Sequence, residues 1–292
     1  MKLYSVYQHW DPLKVCIVGR SYNPKFYDYI KNKKVRQVFY KIAEETEEDY
    51  QKLISLLKSF GVEVKRPEVS DNHEDYYENS GKIMPPPMTP RDYIAMIGSN
   101  FFIPSCYTNN VSLLWNELSG TDWPSCPKNQ QEFNQLPIKI LDELKLFGKS
   151  SYKDFYNNSF YNIIDHVEQQ GNNIIVDKGL NTAEVTRIGK DLYFGLYEDS
   201  YLNEEKIKEA SPYISDYRHN IIETQGHSDG TFCPVVPGLI VSLYDIPTYH
   251  KTFPDWEVIY LPYQSCGKVS SFLQLKEKNK GKWWVPGQEL ND

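Results

Sequence analysis

An α/β chain of repeated ββ units with helices between them is what the sequence predicts, on three observations. The opening third reads strand, helix, strand, the order of an α/β unit. Further on, a polar strand, a glycine turn and a short apolar strand recur three times, a loose internal repeat. The composition suits both: 40% apolar and 24% charged residues are globular values, and 14% aromatic residues favour strands.

Each element has its own signal. Lys14-Val15-Cys16-Ile17-Val18-Gly19 is a short apolar run closed by glycine, hence a strand. Over 44–60, Tyr50, Leu53, Ile54, Leu57 and Phe60 share one helical face, and Gly61 stands where a C-terminal cap belongs. Glu44, Glu45, Glu47 and Glu48 would then load the early turns, beside the positive end of the helix. Val62-Glu63-Val64-Lys65 follows as a strand stopped by Pro67. A polar loop over 70–82 and a proline-rich run over 84–90 lead into the repeats. The first pairs a strand over 91–98 with one over 101–104, the second 184–189 with 191–195, the third 230–236 with 237–242. Helices are predicted over 132–146 and 204–209.

Composition narrows the function classes. The net charge of −7 opposes a dedicated nucleic-acid or anionic-membrane binder, since either needs a positive field. The longest apolar runs, such as 235–243, fall short of the roughly 20 residues of a membrane span. Met1-Lys2-Leu3-Tyr4 carries no apolar signal-peptide core, and five cysteines without a CxxC pair suit reduced thiols, so the expected compartment is the cytoplasm. The chain shows no Gly-rich phosphate loop, and His9, His73, His166, His219 and His250 show no metal-ligand spacing. No cofactor and no metal are expected.

Three segments carry the residue types of a reactive site. Pro90-Arg91-Asp92 places a carboxylate at the head of an apolar strand. His227 and Asp229, two apart in Gly226-His227-Ser228-Asp229-Gly230, would share one side of a strand. Asn181-Thr182-Ala183-Glu184 enters the second repeat. A histidine and carboxylates converging on strand ends suit cation binding with proton transfer. His-x-Asp spacing alone more often marks a hydrogen-bonded loop.

With these segments in hand, the chain resembles the glycine amidinotransferase family. The resemblance rests on Asp11-Pro12-Leu13-Lys14-Val15-Cys16-Ile17-Val18-Gly19-Arg20, Pro90-Arg91-Asp92, the stretch 181–191, and His227-Ser228-Asp229-Gly230-Thr231-Phe232 with Pro237-Gly238, in the family's order from Asp11 to at least Ser242. It implies a pentein fold, an α/β propeller of ββαβ units around a central site, here one domain over 1–292. It implies amidino transfer from arginine or a similar guanidino donor to an amine acceptor such as glycine. The implied roles are Asp92 and Asp229 on the donor guanidinium and His227 as general acid/base. A guanidinium offers five donors in a flat fork, which two carboxylates match. Hydrolysis of the same intermediate, as in arginine deiminases, and guanidine binding without catalysis are the alternatives.

The departures matter as much. Asn181 stands where the family has the aspartate that orients the histidine, and Glu184 matches another acidic, substrate-binding position. Ile246 stands where amidinotransferases acting on arginine have an arginine for the substrate carboxylate. The family's C-terminal Gly-rich His-Cys block has no match in the sequence, so the resemblance implies an incomplete propeller whose last blade is missing or partial, with a homodimer or a complementing C-terminal fragment as its partner. Cys16 reads as a buried strand residue, Cys106 and Cys126 as loop residues, and Cys233 and Cys266 match no nucleophile block.

Overall fold

A computed structural model describes residues 3–73, 86–104, 130–146, 160–177, 180, 182–196, 204–224, 227–243 and 249–261. In chain order the first part is β1 (Val15–Ile17), α1 (Lys33–Ser59) and β2 (Glu63–Lys65). Then come α2 (Pro90–Tyr93), β3 (Ala95–Ile97), β4 (Asn100–Pro104), α3 (Gln130–Asn134), α4 (Ile138–Leu146), α5 (Tyr161–Gln169) and β5 (Asn173–Asp177). The next group is β6 (Val185–Ile188), β7 (Asp191–Leu196), α6 (Glu204–Ala210) and β8 (Arg218–Glu223). The last is α7 (Ser228–Thr231), β9 (Phe232–Val236), β10 (Leu239–Ser242), α8 (Tyr249–Thr252) and β11 (Glu257–Tyr260).

The repeat expected from the sequence is present and larger than its ββ core. β3-β4-β5, β6-β7-β8 and β9-β10-β11 are three-stranded sheets of one design. In each, the first two strands form an antiparallel hairpin, and the chain returns through helix to a third strand parallel to the second. That is ββαβ three times over. β1 and β2 pair in parallel across α1, the βαβ part of the same plan. All three hairpins close through two-residue turns: Ile97 pairs with Asn100, Ile188 with Asp191 and Val236 with Leu239, the last with a register shift just beyond the turn. Each turn contains a glycine with positive φ, Gly98 at 59°, Gly189 at 62° and Gly238 at 88°. Such tight turns demand a conformation that side chains resist.

Five sequence expectations are corrected. The long helix starts at Lys33, not 44, because Asn32 caps it: its side chain accepts from the Lys34 and Val35 amides at 3.1 and 3.3 Å. Glu44 to Glu48 therefore sit mid-helix, away from its positive end. The helix expected over 132–146 is two, α3 and α4, broken at Pro137, which cannot continue a helix but can open one. Asp92 does not head a strand; α2 is a single helical turn opened by Pro90, and β3 begins only at Ala95. Nor do His227 and Asp229 share a strand face, since His227 precedes the turn α7 and Asp229 lies in it. Glu184 likewise lies in a 3-10 turn, Thr182–Glu184, just before β6.

The chain forms two compact units interleaved in sequence, one of residues 1–13, 91–105 and 167–269, the other of the remainder. The first holds the three ββαβ sheets. Its core packs Phe102, Leu192 and Phe194, all fully buried on the central strands β4 and β7, against Ile97, Val185, Ile207, Ala210 and Ile214. A second cluster joins Ile222, Ile240, Tyr249 and Phe253, with Ser242 Oγ 2.6 Å from the Tyr249 hydroxyl. The other unit packs Tyr22, Phe26, Tyr27 and Ile30 against Ala43 of α1, with Tyr22 and Phe26 stacked at 3.7 Å. Among the described residues no helix is long and apolar enough to cross a membrane.

Candidate functional site

The repeat itself gathers the site. α2 precedes β3, the Thr182–Glu184 turn precedes β6, and His227 with α7 precedes β9. The residues singled out from the sequence thus enter three successive first strands at equivalent points, all within the first unit. Hydrogen bonds tie the three segments together. Thr182 Oγ1 donates to the Arg91 carbonyl, and Ser228 Oγ donates to the Ala183 carbonyl at 3.0 Å while accepting from Thr186 Oγ1 at 3.4 Å. Ser228 packs so closely on β7 that a Cβ at Gly195 would lie 2.9 Å from the Ser228 Cβ, so that strand position is reserved for glycine. Thr231 Oγ1 and the Gly230 amide both donate to the His227 carbonyl, at 2.9 and 3.1 Å, fixing the backbone that carries the histidine.

Two close pairs of ionisable groups result. His227 Nδ1 lies 3.9 Å from Asp92 Oδ1, with side chains 44% and 34% exposed. Arg91 Nε lies 3.8 Å from Asp229 Oδ2, with side chains 26% and 28% exposed. Asp92, His227 and Asp229 are therefore brought together and open to a ligand, whereas Glu184 is completely buried. Asn181, Ile246 and the thiols of Cys106, Cys126 and Cys266 lie outside the described residues. Asp92 is the carboxylate beside His227.

Electrostatics grade these groups. Burial raises the Asp229 carboxyl above its ordinary range and the Asp92 charge pushes the same way; the Arg91 and His227 charges and the Gly230 amide pull it down. Arg91 is itself lowered by burial, opposed by Asp229, Asp92 and Cys233. Burial raises the Cys16 and Cys233 thiols, and Arg91 draws Cys233 partly back.

Sequence reasoning missed a basic layer beside the site. Arg91 Nη2 donates to the Val185 carbonyl of β6, and Arg187 Nη1 donates to the Met96 carbonyl of β3. β3 and β6 are outer strands of their sheets, and each arginine satisfies a carbonyl of the other repeat's first strand. Arg187 is lowered to about 9, chiefly by burial and then by Arg91. His9 falls from the ordinary 6.5 to about 3, by burial and then by Arg187 and Arg91. The only sequence cue was the two-residue spacing of Val185 and Arg187 on one strand. Because folding depresses His9, its contribution to stability is complete above pH 6.5 and is lost as pH falls toward about 3. The urea midpoint of the protein is expected to drop between pH 7 and 5, and to drop less in His9→Gln; equal drops would place the acid sensitivity elsewhere.

Comparison with known proteins agrees with this architecture. No protein-family model matches the chain. It is similar to the mitochondrial glycine amidinotransferase of Gallus gallus, 25% identical over 298 aligned positions that cover 88% of this chain. The chain spans 65% of that relative's length. Among solved structures it resembles SxtG, an amidinotransferase from Microseira wollei in the saxitoxin biosynthetic pathway, with TM-score 0.54 and 17% identity over 89% of this chain and 76% of that one. It also resembles the inosamine-phosphate amidinotransferase of Streptomyces griseus, with TM-score 0.54 and 18% identity over 90% of this chain and 76% of that one. The fold is therefore of the pentein α/β class. In sequence it is similar to an amidinotransferase, the relative that its motifs resemble.

Proposed function

We propose that this protein binds a guanidino donor and takes part in moving its amidino group to an amine acceptor. The observation that carries the reading is the convergence of Asp92, Asp229 and His227 at the entrances to β3 and β9, open to a ligand and flanked by one another's charges. Asp92 and Asp229 supply the acceptor oxygens that a flat cationic fork requires. His227, beside a carboxylate, protonates the departing amine and deprotonates the incoming one. The covalent step needs a thiolate; Cys16 and Cys233 are both raised, which directs the search for it to Cys106, Cys126, Cys266 or a separate polypeptide. Glycine is the first acceptor to try, given the similarity to a glycine amidinotransferase, and arginine the first donor.

Incubation with arginine and isotopically labelled glycine tests the transfer reading. The labelled amine is expected to gain an amidino group while ornithine accumulates. Release of citrulline or of a urea-type product instead would identify a hydrolase. Absence of any product, together with tight arginine binding, would leave the guanidine-binding role and remove the transfer.

A further inference from the structure

We propose that Arg91 is a positioning residue that holds the Asp229 carboxylate ionised and oriented for a guanidino ligand. The inference rests on the guanidino-binding role proposed above and adds a member to that site. Arg91 cannot wander: Thr182 Oγ1 donates to its carbonyl, and its own Nη2 donates to the Val185 carbonyl on β6. Thus anchored, it presents Nε to Asp229 Oδ2 at 3.8 Å. At that distance the contact is electrostatic rather than a hydrogen bond, so it holds the carboxylate by charge without taking an acceptor position that a guanidino ligand needs.

The need for such a residue follows from the neighbourhood. Asp229 is half-buried and Asp92 contributes a like charge, both of which favour a protonated Asp229. A protonated Asp229 loses its charge and half its acceptor capacity, and with them its hold on a cationic fork. The groups that favour its ionised form are Arg91, His227 and the Gly230 amide. His227 is already 3.9 Å from Asp92, which leaves Arg91 as the permanent cation on Asp229. Arg91 in turn faces Cys233, Arg187 and His9, and of these only Cys233 can offset its charge. Among the groups that keep Asp229 charged, Arg91 is therefore the leading one.

Two variants separate positioning from scaffolding. Arg91→Gln keeps a donor for the Val185 carbonyl and removes the charge; Arg91→Lys keeps the charge. Arginine affinity is measured by calorimetry from pH 4 to pH 8, and the Asp229 carboxyl carbon is titrated by NMR over the same range. In Arg91→Gln the Asp229 midpoint is expected to move up by about one pH unit, with arginine affinity at pH 5 falling about tenfold. Arg91→Lys is expected to restore most of the midpoint. An Asp229 midpoint unchanged in folded Arg91→Gln would overturn the proposal, and so would a shift that Arg91→Lys fails to reverse. The carboxyl titration needs no ligand, so it reads Arg91 even where the wild-type protein binds no guanidino compound, an outcome that would instead refute the proposed function. A variant that does not fold leaves the other to be compared with wild type by the same titration.

Discussion

Replacing Asp92 by asparagine is expected to weaken arginine binding by about 1.5–3 kcal/mol, the range for a hydrogen bond to a charged group. Asparagine preserves the shape of the side chain and one acceptor, so the loss isolates the charge. Asp92 is a third exposed and lies 3.9 Å from His227, so part of its effect passes through the histidine. Calorimetric titration measures the effect. Equal arginine affinity in both proteins would remove Asp92 from the site.

The largest effect on stability is expected at Phe102. It lies on the central strand β4, is completely buried, and packs with Ile97, Leu192 and Phe194 in the main cluster of the first unit. Truncation to alanine removes the transfer energy of the ring and leaves a cavity that rigid sheet neighbours fill only in part. The expected cost is about 3–5 kcal/mol. Urea unfolding followed by far-UV circular dichroism gives the number. A loss below about 1 kcal/mol would mean that the ring contributes little to the core. The same unit carries Asp92, Asp229 and His227, so arginine binding should weaken with the fraction folded and no further.

What the sequence conveyed about this fold was its local periodicity. The three hairpins were legible because each places a glycine between a polar and an apolar strand, and the two-residue turns need that glycine. The third strand of each sheet was not. β8 reads Arg-His-Asn-Ile-Ile-Glu and β11 Glu-Val-Ile-Tyr, runs too short for periodicity to distinguish from loop or helix. Their pairing with β7 and β10 is a tertiary fact. The start of α1 was misplaced because the apolar face is clear only in its second half, whereas the true signal was one capping asparagine. α2 and α7, four residues each, lie below any pattern's reach, yet they decide where Asp92 and Asp229 stand.

The site shows the same division. Asp92, His227 and Asp229 could be named from residue types in ordered motifs, because cation binding and proton transfer need those types. Their grouping could not be seen, since Asp92 and His227 are 135 residues apart and meet only through the repeat. Arg91 was in view from the start as the middle of Pro90-Arg91-Asp92. Its partners, Val185 and Asp229, lie 94 and 138 residues away, so its role waited for the fold. Burial, which separates Glu184 from the two open aspartates, has no expression in sequence at all.

The central claim is that open carboxylates at the entrances to β3 and β9 recognise a cationic guanidinium. The most direct measurement compares arginine with citrulline, its neutral ureido counterpart of nearly the same shape, by calorimetric titration at pH 7. A site built on Asp92 and Asp229 should prefer arginine by about a hundredfold or more, since exchanging the cation for a carbonyl forfeits charge-assisted hydrogen bonds and sets a carbonyl oxygen against a carboxylate. Equal affinities, or a preference for citrulline, would contradict the account.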